Sequence, residues 1–202
     1  MSIFIDENGI KKLLPEISEI KDPKLRQGVI DIWRDIAAAT LWKRFEDIPK
    51  NLKAENYRPL ISHIRGVTQM AVSLAEIAEK YQDRSYDRDL LIAACLLHDV
   101  SKIVECEPDP KGSQTRGSVL PAQKSEIGKN LPHGAYASHM VLAKELPVKL
   151  AHLITTHTHA CNIRGVGWEA SLLFYADFAD TDAGIIPTGA KTYSQRWRPD
   201  PE

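Results

Sequence analysis

The stretch that most constrains this chain runs from Leu90 to Lys102 and reads Leu-Leu-Ile-Ala-Ala-Cys-Leu-Leu-His-Asp-Val-Ser-Lys. Apolar or small residues occupy every side of the helical wheel up to Leu97, so the pattern predicts a helix buried at the centre of a bundle. Asp87 and Asp89 supply N-terminal helix signals, and the helix is expected over about 87–102. A His-Asp pair then follows directly. An unpaired buried charge is costly, so His98 and Asp99 need partners, and a metal ion is the first candidate. Adjacent side chains on a helix diverge by about 100°. The pair therefore meets one centre only near the helix end, or bridges two.

The rest of the chain supplies helices to surround this one. Residues 7–20 read as a short helix interrupted at Pro15, and Asp22-Pro23 starts a second that runs to about Arg44. Its apolar face is Leu25, Val29, Ile32, Trp33, Ile36, Ala37 and Leu41. After a connector from Pro49 to Pro59, a helix spans roughly Leu60 to Tyr81, with His63, Val67, Met70, Leu74 and Ile77 read as its inward face. Glu105 to Asn130 has four glycines and prolines among its first thirteen residues and no clear period; so long a loop suggests a lid or binding loop. Helices follow from Pro132, from Pro147 to about Thr158, and from about Trp168 to Asp182, the last bearing Leu173 and Asp177 on one face. No strand is expected. The architecture is an all-α, single-domain helical bundle: residues 1–59 pack N-terminal helices on a core at 60–182, and 183–202 form an extended tail.

Bulk properties exclude several classes. A net charge of −1 gives no overall drive toward nucleic acid or a membrane surface. No apolar run reaches about 18 residues, and Met1 to Glu7 lacks a basic segment ahead of an apolar one, so neither a membrane span nor a signal peptide is expected. Cys95, Cys106 and Cys161 are odd in number and lack CxxC spacing, which fits a reducing, cytoplasmic setting rather than a disulfide framework or a zinc ribbon.

The inward-facing ionisable residues are His63, His98, Asp99, His133, His157 and Asp177. Taken alone, a histidine such as His63 on an apolar face is more often a hydrogen-bonded core residue than a ligand. Together the set reads differently. Its gaps of 35, 35, 24 and 20 residues are each about one helical hairpin, so a bundle can bring all of them to one point. Four imidazoles and two carboxylates suit a first-row transition metal, and one bridging carboxylate would let six side chains serve two ions.

His63, then His98-Asp99 in Leu-Leu-His-Asp-Val-Ser-Lys, then Asp177 in Tyr-Ala-Asp-Phe-Ala, resemble the HD-domain superfamily of metal-dependent hydrolases. His133 in His-Gly and His157 in Thr-Thr-His-Thr-His resemble the two extra histidines of its dinuclear members. The resemblance implies that His63, His98 and Asp177 hold one ion, that His133 and His157 hold another, and that Asp99 bridges. The implied cofactor is one or two divalent ions of Mn, Fe, Co, Ni or Zn. Two departures stand out. Ser101 occupies a position where glycine is usual, and the family's His-His doublet is split as His157-Thr158-His159, leaving His159 as an alternative ligand although helical phase favours His157.

The activity implied is a phosphohydrolase acting on a nucleotide or other phosphoester, in which a metal-activated water attacks phosphorus in line. Asp99 and Lys102 are the candidate catalytic residues. Lys102, three residues on from Asp99, can reach over the site to a phosphoryl oxygen, with Lys111, Arg116 and Lys124 as further contacts to a small anionic substrate. Arg65, Arg164 and the Arg196-Trp197-Arg198 cluster are weaker candidates. Mixed-valent di-iron oxygenases of the same superfamily use the same ligand types and form the rival enzyme class, and a non-catalytic regulatory module is the third reading. The N-terminal helices or the tail are the surfaces expected to serve any self-association.

Overall fold

The computed structural model describes residues 3–113, 117, 119–158 and 161–196. In chain order the helices are α1 (Glu7–Leu13), α2 (Pro23–Ala39), α3 (Leu60–Gln82), α4 (Arg88–Leu97) and α5 (Lys102–Glu105). A hairpin of β1 (Cys106–Pro108) and β2 (Ala122–Lys124) follows, then α6 (Glu126–Asn130), α7 (Ala135–Ala143), α8 (Val148–Thr156), α9 (Trp168–Ile185) and α10 (Tyr193–Arg196). The all-α reading holds, with one correction. The segment expected to be an aperiodic loop contains two three-residue antiparallel strands, with Glu107 opposite Gln123. They are short and half exposed, so period-2 alternation had no length in which to show.

Helix starts follow local chemistry. The Asp22 carboxylate accepts the N–H groups of Lys24 and Leu25, and Pro23 fits the first helical position. Asp87 caps α4 by accepting the N–H of Leu90, whereas Asp89 reaches out of the helix to accept the N–H groups of Lys21 and Asp22. That contact ties the start of α2 to the start of α4.

α4 is the central helix, packed by α2, α3, α8 and α9. Leu90 through Leu97 are at most 3 % exposed, as an all-round apolar surface requires. Two expected helical faces are corrected. α2 ends at Ala39, so Leu41 is exposed and Trp42 takes the buried place. On α3 the buried stripe is Leu60, His63, Ile64, Val67, Thr68, Ala71, Val72 and Ala75, while Met70, Leu74 and Ile77 face outward. The strict four-three-four-three spacing has a period of 3.5, and a straight helix drifts about 20° per heptad against it. Over two heptads that drift carries Ile77 out of the contact face, and the small residues Ala71 and Ala75 take over.

The chain around the His-Asp pair leaves helical geometry. The i−4 bonds of α4 end with His98 N–H to the Ala94 carbonyl; Val100, Lys102, Ile103 and Val104 then bond three residues back, before Glu105 N–H to the Ser101 carbonyl resumes the i−4 pattern. The N-terminal region secures carbonyls along this tightened stretch. Trp33 Nε1–H donates to the Leu96 carbonyl at 3.1 Å, Thr40 Oγ1–H to Ile103 at 2.7 Å, and Trp42 Nε1–H to Cys106 at 3.0 Å. Trp33→Phe leaves the Leu96 carbonyl buried without this donor, and we expect it to cost about 1–3 kcal/mol in urea unfolding with an unchanged denaturant slope. A loss below about 0.5 kcal/mol would show that this bond does not secure the break.

Within the segment expected to be an extended tail, Ile186–Thr188 form a 3₁₀ turn and Tyr193–Arg196 form α10. The Asp182 carboxylate accepts the N–H groups of Tyr193 and Ser194. This folds the segment back against α9.

Candidate metal centre

His63 projects from within α3, and Asp177 from the middle of α9. His98 and Asp99 directly follow α4, His157 directly follows α8, and His133 lies in the turn ahead of α7, next to Gly134 at φ +86°. The end of α4 at Leu97 resolves the difficulty posed by adjacent side chains. Past the helix end, both residues of the pair face one centre.

Two groups of donors form. His63, His98 and Asp177 make one; Asp99, His133 and His157 make the other, each with its ligand atoms within 4.8 Å of one another. Asp99 stands between them. Its Oδ2 lies 3.1 Å from His63 Nε2 and 3.7 Å from His98 Nε2. Its Oδ1 lies 2.8 Å from His133 Nε2 and 3.6 Å from His157 Nε2. One carboxylate oxygen thus faces each cluster.

The imidazoles are set to offer Nε2. His98 Nδ1–H donates to the Cys95 carbonyl at 2.7 Å, and His157 Nδ1–H to the Ile154 carbonyl at 2.6 Å. A carbonyl only accepts, so the proton of each neutral ring sits on Nδ1 and Nε2 carries a lone pair. Burial pushes His98 down to about 3, so that ring is neutral. Its Nε2 nevertheless faces His63 Nε2 at 3.3 Å, in a place sealed from water. With His63 neutral, the two ring nitrogens would both offer lone pairs to one point, and each donor group could hold a divalent ion.

The other two rings lean on carboxylates. Burial works against charging His63, but Asp177, Asp180 and Asp99 outweigh it and raise it to about 9. Burial likewise opposes the charge on His133, and Asp99 and Glu105 raise it to about 9. Burial would raise the Asp99 carboxyl; Lys102, with its Nζ 2.5 Å from Oδ2, and the surrounding imidazoles hold it well below the usual carboxylate range.

A cavity of about 810 Å³ opens over these groups. Its lining also includes Lys53, Lys102, Lys124 and Lys129. Of the expected anion contacts, Lys102 and Lys124 line the cavity. Lys111 does not: it is exposed, in a turn where Asp109 accepts its backbone N–H. Arg65 is engaged with Glu16 at 2.9 Å. Arg116 and the alternative ligand His159 lie outside the described residues.

The HD domain family matches residues 60–185, more than half of the chain. The chain belongs to the HD domain family. It is 24 % identical over 181 residues to dihydroneopterin 2',3'-cyclic phosphate phosphodiesterase of Methanocaldococcus jannaschii, covering 85 % of this chain and 69 % of that protein. It is 29 % identical over 159 residues to 3'-5' exoribonuclease YhaM of a Geobacillus species, covering 71 % of this chain and 44 % of that protein. No solved structure matches it. The expected class, a metal-dependent phosphohydrolase on an all-α fold, is borne out at this level. Among the described residues no helix is long and apolar enough to cross a membrane.

Sequence reasoning on the HD-domain protein missed the residues that support the ligands. Asp180, one turn beyond Asp177, accepts from His63 Nδ1–H at 2.5 Å and is itself held by Arg58 at 2.6 Å. A Cβ at Gly66 would stand 2.5 Å from Asp180 Oδ1, so glycine on α3 lets this carboxylate approach. Glu55, at 0 % exposure, joins Arg58 to Lys50, and Lys50 Nζ donates to Thr181 Oγ1 at 2.8 Å. The nearest signal was the phase of Asp180, which puts it at the edge of the Asp177 face. Nothing in the connector 49–59 marked Lys50 or Arg58, because aperiodic sequence gives no phase from which to infer burial.

Proposed function

We propose that this HD-domain protein hydrolyses phosphodiester bonds of a small anionic substrate at a centre of two divalent transition-metal ions. In this reading His63, His98 and Asp177 hold one ion, His133 and His157 hold the other, and Asp99 bridges. The observation that carries it is the placing of one Asp99 oxygen toward each histidine cluster. A divalent pair supplies Lewis acidity and lowers the pKa of a bound water, so that a nucleophile is available near neutral pH.

The chain's own groups do the rest. Lys102, with its side chain 22 % exposed to the cavity, is placed to neutralise a phosphoryl oxygen beside the bridging carboxylate. Lys124 and Lys129, which line the cavity, would hold the substrate's negative charge there. The cavity volume falls within the ordinary range for small-molecule pockets, about 300–1,000 Å³. The names of both relatives describe phosphodiester chemistry, one on a 2',3'-cyclic phosphate and one on RNA from its 3' end. A cyclic phosphate or a short 3'-terminal diester is accordingly the substrate class to test first, in a reducing, cytoplasmic setting suited to three free thiols.

The test is metal analysis of the purified protein, followed by anaerobic assays on 2',3'-cyclic nucleotides, short RNA and phosphomonoesters with Mn²⁺, Co²⁺, Ni²⁺ or Mg²⁺. Two ions per chain and diester turnover without oxygen are expected. A strict need for iron and oxygen would overturn the hydrolase reading. Lys102→Ala should lower kcat/KM roughly tenfold to a hundredfold, the worth of a charge-assisted contact of about 1.5–3 kcal/mol, with metal content unchanged. Unchanged kcat/KM would remove Lys102 from the reaction.

A further inference from the structure

Each histidine cluster contains one ring oriented by a carboxylate rather than by its own helix. In the first cluster His63 Nδ1 meets Asp180, which shares its charge with Arg58. In the second, His133 Nδ1 meets Glu105 Oε2 at 2.8 Å, and the only side-chain contact to the other Glu105 oxygen among the described residues is from Ser101 Oγ–H to Oε1 at 2.6 Å.

We propose that Ser101 and Glu105 are positioning residues that fix His133 for the second metal ion; this rests on the two-ion reading above. The need is local. His98 and His157 sit at helix ends, where carbonyls three residues back set their rings. His133 precedes α7, in a turn without such a carbonyl, so its ring orientation needs an outside anchor. Glu105 provides it. Glu105 accepts at Nδ1, which leaves Nε2 to point at Asp99 Oδ1, 2.8 Å away.

Glu105 is itself held at both ends. Its carbonyl accepts the Ser125 N–H at 2.9 Å, and a Cβ at Gly128 would fall 2.0 Å from that oxygen, so α6 is packed directly against it. Its side chain is one helical turn from Ser101, and the hydroxyl occupies Oε1 so that Oε2 is turned to His133. Glycine at 101 would leave Oε1 without this donor and let the carboxylate swing. The segment 99–105 thus carries the bridging carboxylate at one end and the clamp on its imidazole neighbour at the other. Any shift of α5 moves both together.

The test is isothermal titration of metal-stripped protein with Mn²⁺ or Co²⁺, with total metal counted by elemental analysis. Wild type should take up two ions. Glu105→Ala should weaken the second ion by 10- to 100-fold while leaving the first within about twofold. Ser101→Gly should weaken it by a smaller factor in the same direction, and Glu105→Gln, which still offers an acceptor to Nδ1–H, should recover part of the loss. Asp180→Ala should show the converse pattern, weakening the first ion. Circular dichroism on each stripped variant separates these outcomes from misfolding. If wild type binds two ions and Glu105→Ala binds both equally well, the positioning role is overturned while the two-ion reading stands. If wild type binds one ion only, both are overturned. If Glu105→Ala weakens both ions alike, the role is a general structural one and the proposal fails.

Discussion

Asp99→Ala is expected to abolish metal-dependent turnover, lowering kcat by about 10³-fold or more, and to leave the protein unable to hold two ions. The size of the effect follows from the position of one side chain. Its two oxygens face different histidine clusters, at 3.1 Å to His63 Nε2 and 2.8 Å to His133 Nε2. In the proposed two-ion centre alanine would remove a ligand from both ions, and it would remove the negative charge that balances Lys102. Asp99→Asn sharpens the comparison: it keeps the shape but loses the charge and one oxygen donor, so binding at the Oδ1 or Oδ2 side should survive in part while turnover does not. The measurements are elemental analysis and single-turnover kinetics on a phosphodiester, with thermal unfolding as a folding control. Retained phosphodiester turnover in a folded, metal-poor Asp99→Ala protein would place the chemistry elsewhere.

How far the sequence leads depends on where periodicity operates. α4 was legible because an all-round apolar run admits only a buried helix, and Leu90 to Leu97 are indeed sealed. The six-residue donor set was legible because hairpin-length gaps carry residues on successive helices to a common centre, and the two clusters contain all six. The outer half of α3 was misread because small residues, Ala71 and Ala75, make the contact there. Glycine or alanine in a stripe signals close approach only when the neighbouring helix is known. The supporting shell was hidden for a different reason. Arg58 and Lys50 lie in an aperiodic connector, and their partners Asp180 and Thr181 are more than 120 residues away. Glu105 was nearer to being legible. It lies six residues beyond Asp99, and Ser101, one helical turn before it, donates to its carboxylate.

Removing the metal should lower the melting temperature, and by an amount that depends on pH in a defined direction. In the metal-free fold His63 and His133 keep their protons up to about 9, against 6.5 for an ordinary imidazole. A raised histidine stabilises the fold below its unfolded pKa, and that stabilisation is lost as pH climbs from 6.5 toward about 9. Ligation requires the neutral ring, so in the proposed two-ion centre each ion would displace one of these protons. His98, held at about 3, is already neutral and has none to release. Metal affinity should therefore rise through the same window in which the metal-free fold weakens, and near neutral pH about two protons should be released per ion pair. With each added ion at about a thousandfold over its dissociation constant, linkage gives about 4 kcal/mol per site. At about 2–4 °C per kcal/mol for a domain of this size, even one site shifts the midpoint by about 10 °C. Thermal scans with and without EDTA at about pH 6.5 and pH 8.5, and titrations in buffers of different ionisation heat, read both quantities. The gap between metal-loaded and stripped protein should be wider at the higher pH. A gap that is equal or narrower there would mean that His63 and His133 are not the protonated groups the ions displace.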